Sequence, residues 1–127
     1  ALAAAPRAPA PGETLRLGAT AHNAAGAEHA HILVGASLYR SGVGYLDDAA
    51  HDAPVTLAAA ADTAVARTFL VPAAAAAGRY DVLLSLYLDV DENGAIGTTD
   101  FALALATLPQ AVEIVTDRLF ADGFGAP

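Results

Sequence analysis

Apolar and polar residues alternate along most of this chain. From Thr14 to His22, Leu15, Leu17, Ala19 and Ala21 fall on one parity, and Thr14, Arg16, Gly18, Thr20 and His22 on the other. Side chains two apart share one face of a strand, so residues 13–22 read as a strand with an apolar inner face. The same period predicts a strand over about 28–39, with Ile32, Val34, Ala36 and Leu38 inward and His29, His31, Leu33, Gly35 and Ser37 outward. Tyr45-Leu46 reads as a short edge strand and Val55-Thr56-Leu57 as another. A longer strand is expected over 63–71. There Val65 and Phe69 share parity with Arg67, and we expect the guanidinium to turn outward through a bulge or along its own aliphatic stem. Residues 79–88 are the most hydrophobic stretch. Tyr80, Val82, Leu84, Leu86 and Leu88 face one way and Leu83 is apolar on the other, which predicts a central strand. Further on, Phe101, Leu103 and Leu105 alternate with Ala102, Ala104 and Ala106; strand and helix both stay open for 101–108. Pro109 is expected to interrupt, with a last short strand at Val112–Val115.

Turn residues punctuate these runs at Asn23–Gly26, Ser41–Gly44, Asp47–Pro54 and Ala58–Asp62. Short strands, frequent turns and almost no helical period predict an all-β fold, an antiparallel β-sandwich of about seven strands. The domain spans residues 13–116. Residues 1–12 form an Ala/Pro-rich arm or linker, and 117–127 a C-terminal tail. The start of the arm, Ala1 to Pro6, resembles what remains around a signal-peptidase site, and equally an Ala/Pro linker within a longer chain.

One stretch does not alternate. In residues 89–100, oxygen-bearing side chains occupy the first, third and fifth positions: Asp89, Asp91 and Asn93. Gly94 stands sixth, where such a loop turns sharply, and Ala95 seventh, where a backbone carbonyl serves. Ile96 is the apolar anchor, Gly97 leaves room for a water, and Asp100 closes the loop at the twelfth position. The expected site is therefore Asp89, Asp91, Asn93, Ala95 and Asp100, with Ca2+ as its ion because every donor is a hard oxygen. Acidic hairpin loops of similar composition also occur without an ion. Here no Arg or Lys falls between Arg79 and Arg118, so nothing nearby in the sequence neutralises Asp89, Asp91, Glu92 and Asp100.

Gly78-Arg79-Tyr80 looks like the tyrosine corner of immunoglobulin-like domains. Together with Gly12-Glu13-Thr14-Leu15, Asn23 and Val71-Pro72, it makes residues 12–90 resemble bacterial immunoglobulin-like cell-surface modules of the CARDB type. That resemblance implies an immunoglobulin-like sandwich and an accessory or adhesion role without catalysis. Asp89 to Leu105, with the closing Asp100 followed by Phe101 and Leu105, is similar to a dockerin-type, EF-hand-like calcium repeat. That family pairs two repeats with helices, whereas this chain has one repeat after a strand, so only the ion site carries over. Asp117 to Phe124 is similar to a short ending found on secreted proteins of some Gram-negative bacteria.

Composition narrows the function classes. The net charge is −8 and all six basic residues are Arg, which argues against nucleic-acid or anionic-membrane partners. No apolar run is long enough for membrane insertion. The chain has no Cys, so disulfides, zinc–thiolate sites and thiol catalysis are excluded. Its three serines, Ser37, Ser41 and Ser85, lie in no nucleophile motif, and no enzyme activity is expected. His29 and His31, with His22 expected on the neighbouring strand, offer a weaker Zn or Cu arrangement, and surface histidines are the simpler reading. Asp47, Asp48, His51 and Asp52 offer a second cation site or a solvated loop, the loop being preferred.

The sequence thus predicts a secreted or cell-surface, calcium-binding β-sandwich module. Its expected partners are the calcium ion and neighbouring copies of itself or another cell-surface protein. The alternative is a subunit of an extracellular fibre, built by strand addition of the arm to a neighbour. Carbohydrate binding is weaker, because the chain has no Trp and only four Tyr.

Overall fold

The computed structural model describes residues 2–116; the tail at 117–127 and its expected features lie outside the described residues. Eight strands follow one another: β1 (Ala3–Ala5), β2 (Thr14–Asn23), β3 (His29–Arg40), β4 (Gly44–Asp47), β5 (Ala53–Leu57), β6 (Ala61–Leu70), β7 (Gly78–Leu88) and β8 (Phe101–Ile114). A single 3-10 turn, Ala49–His51, joins β4 to β5. Among the described residues no helix is long and apolar enough to cross a membrane. The strands form an antiparallel β-sandwich. One sheet has the order β1-β2-β6; the other runs β4-β3-β7-β8, with β5 also paired to β3. The count is eight where seven were expected, because Ala3–Ala5 of the arm pairs with Arg16–Gly18 and adds a strand.

The alternation read from the sequence positions the core. Leu15, Leu17, Val65 and Phe69 from one sheet meet Ile32, Val34, Leu38, Tyr80, Val82 and Leu84 from the other, all buried. Each such side chain is worth about 1.5–3 kcal/mol when taken fully from water. Strand β7 is central as expected, with β3 on one edge and β8 on the other. Opposite β7, the far edge of β3 is shared: β5 pairs with its first half and β4 with its second.

Two local devices fix the entry to β7. The Tyr80 hydroxyl, on a fully buried ring, donates to the Ala76 carbonyl at 2.8 Å, the hydrogen bond of a tyrosine corner. Gly78 takes φ +140, and a Cβ there would lie 1.6 Å from Arg40 Nη1, which itself donates to the Ala77 carbonyl. The backbone conformation requires glycine at that position, and the absent Cβ leaves room for the Arg40 guanidinium.

Three expectations are corrected. Pro109 does not split the last strand; β8 runs through it on a sheet edge, where a missing N–H is tolerated. The irregularity is absorbed by Gln110, at φ 48, whose amide donates to Asp81 Oδ1 at 2.9 Å. Arg67 points inward, not outward: β6 keeps strict alternation and buries Val65, Arg67 and Phe69 together. His22 is not beside His29 and His31, because β2 pairs with β6 and β1 while β3 belongs to the other sheet.

Candidate metal centre

The end of β7 delivers the chain to Asp89. Its amide donates to the His31 carbonyl at 2.8 Å, where β3 bulges and His31 takes φ 59. Asp89 is consequently the buried member of the loop, 5% exposed, whereas Asp91 is exposed and Asp100 half-buried. Carboxylate oxygens of Asp89, Asp91 and Asp100 all lie within 4.8 Å of one another. Ligands held at 2.3–2.6 Å from one calcium ion lie no farther apart than about 5 Å, so the trio matches the span of a single ion's shell. It is the one group of three or more His, Cys, Asp or Glu with metal-ligand spacing among the described residues.

Backbone amides hold these carboxylates in place. Asp89 accepts from Asn93 N–H at 3.3 Å and, on its other oxygen, from Gly94 N–H at 2.8 Å. Asp100 accepts from Val90 N–H at 3.0 Å on one oxygen and from Gly97 N–H at 2.8 Å on the other. The loop's first and last carboxylates are thus both tied to its own backbone. Asp91 receives the Thr99 hydroxyl at 3.3 Å. A carboxylate oxygen that accepts one hydrogen bond keeps a second lone pair for a cation. Gly94 makes the turn at φ +79 with open space around it.

Of the five residues expected as ligands, the structure gathers Asp89, Asp91 and Asp100. Asn93 and Ala95 sit on the exposed loop tip, joined by a 2.9 Å bond from Ala95 N–H to Asn93 Oδ1. Glu92, at φ 53, reaches away to His31 Nε2 at 3.6 Å. Ile96 is half-buried on the outer face of the β3–β7 pair. A Cβ on Gly35 would fall 2.7 Å from its Cδ1 and 3.0 Å from Ser85 Oγ, so Gly35 is the seat of the loop's apolar anchor.

The second acidic stretch has a different fate. Asp52 pairs with Arg67 at 2.9 Å, with side chains 9% and 0% exposed, and Arg67 Nη2 also donates to the Asp48 carbonyl. Asp48 accepts the Leu70 amide at 2.7 Å and pairs with His51 at 2.7 Å. Residues 47 and 49–51 stay exposed, as expected of a solvated loop, while Asp52 and the Asp48 carbonyl turn inward and meet the charge of a core arginine. Burial pushes the Asp52 carboxyl above the ordinary range despite the pull of Arg67. Burial also pushes Asp48 up, but the Leu70 amide, His51 and Arg67 together outweigh it and bring that group below its usual value. The remaining Arg67 nitrogens, Nε and Nη1, are buried with no hydrogen-bond partner among the described residues, and the guanidinium lies 5.7 Å from the Phe69 ring centroid. The shared parity of Val65, Arg67 and Phe69 was the signal for this pair.

The histidines are separate. His22 bonds Asp62 at 2.7 Å on the β2–β6 sheet, and His31 faces Glu92. Comparison of the chain with protein-family models, with curated proteins and with solved structures finds no match in any of the three, so the functional argument rests on the geometry of the 89–100 loop.

Proposed function

We propose that this chain is a non-catalytic calcium-binding module of a secreted or cell-surface protein, of accessory or adhesion type. The observation that carries this reading is the convergence of Asp89, Asp91 and Asp100 within 4.8 Å, with no arginine or lysine in the loop. Three unit charges at about 4 Å repel by about 1 kcal/mol per pair in water and about 4 kcal/mol in surroundings like a protein surface. Backbone amides relieve part of this, and a divalent cation removes the rest. Irregular oxygen ligation favours calcium over magnesium, which demands a near-ideal octahedron. Asn93 and the Ala95 carbonyl, on the same loop, would complete the shell with water. The ion orders the loop, and the ordered loop fixes the end of β7, the central strand.

The test is thermal melting and calorimetry with calcium and with chelator. Calcium at a hundredfold excess over its dissociation constant stabilises the fold by about 2.7 kcal/mol. Asp89→Ala and Asp100→Ala abolish the effect, whereas Glu92→Ala retains it because Glu92 faces His31. A melting curve indifferent to calcium and to chelator would sink the reading.

A further inference from the structure

The free edge of the β4-β3-β7-β8 sheet is built as if to be covered. Over its first half, β8 exposes Phe101 at 67%, Leu103 at 48% and Leu105 at 64%. Among the described residues nothing pairs with β8 across from β7 in that half. Farther along, the edge is taken: Glu113 and Val115 donate to the Arg7 and Pro9 carbonyls at 2.7 and 3.0 Å. Pro109 has no N–H to give. The open edge therefore runs from Phe101 to Leu108. Beside it lies an apolar groove of roughly 210 Å³ between β2 and β8, floored by Val65, Leu84 and Leu86 and rimmed by Ala19, Ala21 and Ala104. Natural edge strands are usually blunted by a charge or by being short. This one is long and carries no charge from Phe101 to Val112.

We propose that β8 pairs antiparallel with β8 of a second copy across a two-fold axis, making one continuous sheet and covering Phe101, Leu103 and Leu105. The charge pattern selects this occupant. At a two-fold axis every residue near the centre meets its own twin or a close neighbour of it, so any charge meets its like. In a chain of net charge −8, the open edge is a stretch where that opposition brings no repulsion. A two-fold axis normal to the sheet sets residues of one face opposite each other, so within the limits of Phe101 and Leu108 it falls at Ala104, opposing Ala104 to its twin and Leu105 to Leu103 of the partner copy. Each added strand then lies over its neighbour's groove, and the contact closes on itself as a dimer.

Sedimentation analysis of the full chain from micromolar to millimolar concentration is expected to give a species of twice 12.7 kDa. Leu105→Lys sets two like charges next to the axis and raises the dimer dissociation constant at least about tenfold. Because Leu105 is exposed in the single chain, the melting temperature of dilute Leu105→Lys stays that of the parent. As the chain has no Cys, one introduced thiol reports proximity: Ala104→Cys forms a disulfide-linked dimer under mild oxidation, and Thr20→Cys on β2 does not. A monomer at every concentration, open-ended polymers, a dimer untouched by Leu105→Lys, or equal cross-linking at both thiols would each overturn the proposal.

Discussion

Two loops of this molecule, 47–52 and 89–100, are both rich in carboxylates and accommodate them in opposite ways. In the first, Asp48 and Asp52 surround the buried Arg67, and the protein supplies its own cation. In the second, Asp89, Asp91 and Asp100 converge with only amides and one hydroxyl between them. The difference lies in what packs against each loop. Loop 47–52 crosses the edge of the sandwich where β6 presents Arg67, whereas loop 89–100 leaves the end of β7 with the charge-free start of β8 behind it. An acidic cluster invites a metal only where the fold has not already placed a guanidinium against it.

Removing one partner of the buried pair breaks the comparison most severely. Asp52→Ala leaves Arg67 charged and unpaired in the interior and is expected to destabilise by about 3–5 kcal/mol in urea unfolding. The double variant Asp52→Leu/Arg67→Met, which removes both charges and keeps much of the packing, should be far milder, within about 1 kcal/mol or stabilising, since Arg67 Nε and Nη1 are buried without partners. Equal losses for the two variants would show that the pair is not the reason for the cost. Calcium should still raise the melting temperature of Asp52→Ala if the two loops are independent.

Gly35→Ala sharpens the second half of the comparison. The new methyl pushes the tip of Ile96 aside, so the variant is expected to lose no more than about 1 kcal/mol of stability but, unlike a mutation in the core, to weaken calcium binding as well. Calorimetric titration of that variant distinguishes loss of the loop's seat from general destabilisation. Acid titration gives the smallest effect. Asp48 has a folded pKa below its unfolded value, so its contribution is complete above the unfolded value and disappears as pH falls through the folded one. Asp52, raised in the fold, acts in the opposite sense: its contribution is greatest when protonated and is lost as pH rises through its folded value. Asp48→Asn should accordingly flatten the acid limb of the stability curve, as read by chemical unfolding at a series of pH values.

Much of the sandwich was legible because period-two alternation in β2, β3, β6 and β7 reports directly which face is buried. The loop was legible because its twelve positions sit in one local stretch. What failed was non-local. Which sheet β2 joins depends on pairing with β6, forty residues on, so the histidines could not be placed from spacing alone. For Arg67 the general preference for exposed charge conflicts with the strand's own parity, and its partner Asp52 lies in a loop that local spacing does not connect to β6. Pro109 misled for a related reason: the residue interrupts an interior strand, but β8 is on an edge.

The arm at the start of the chain has a mechanical meaning. Ala3–Ala5 bind β2 of one sheet, and within a few residues the Arg7 and Pro9 carbonyls take amides from Glu113 of β8 and Val115 just past it. A sandwich ordinarily holds its two sheets together through side-chain packing, which is strong against separation and weak against sliding. Here a single extended segment laces the sheets by main-chain hydrogen bonds on both sides. Sliding one sheet past the other therefore requires those main-chain bonds to break as well.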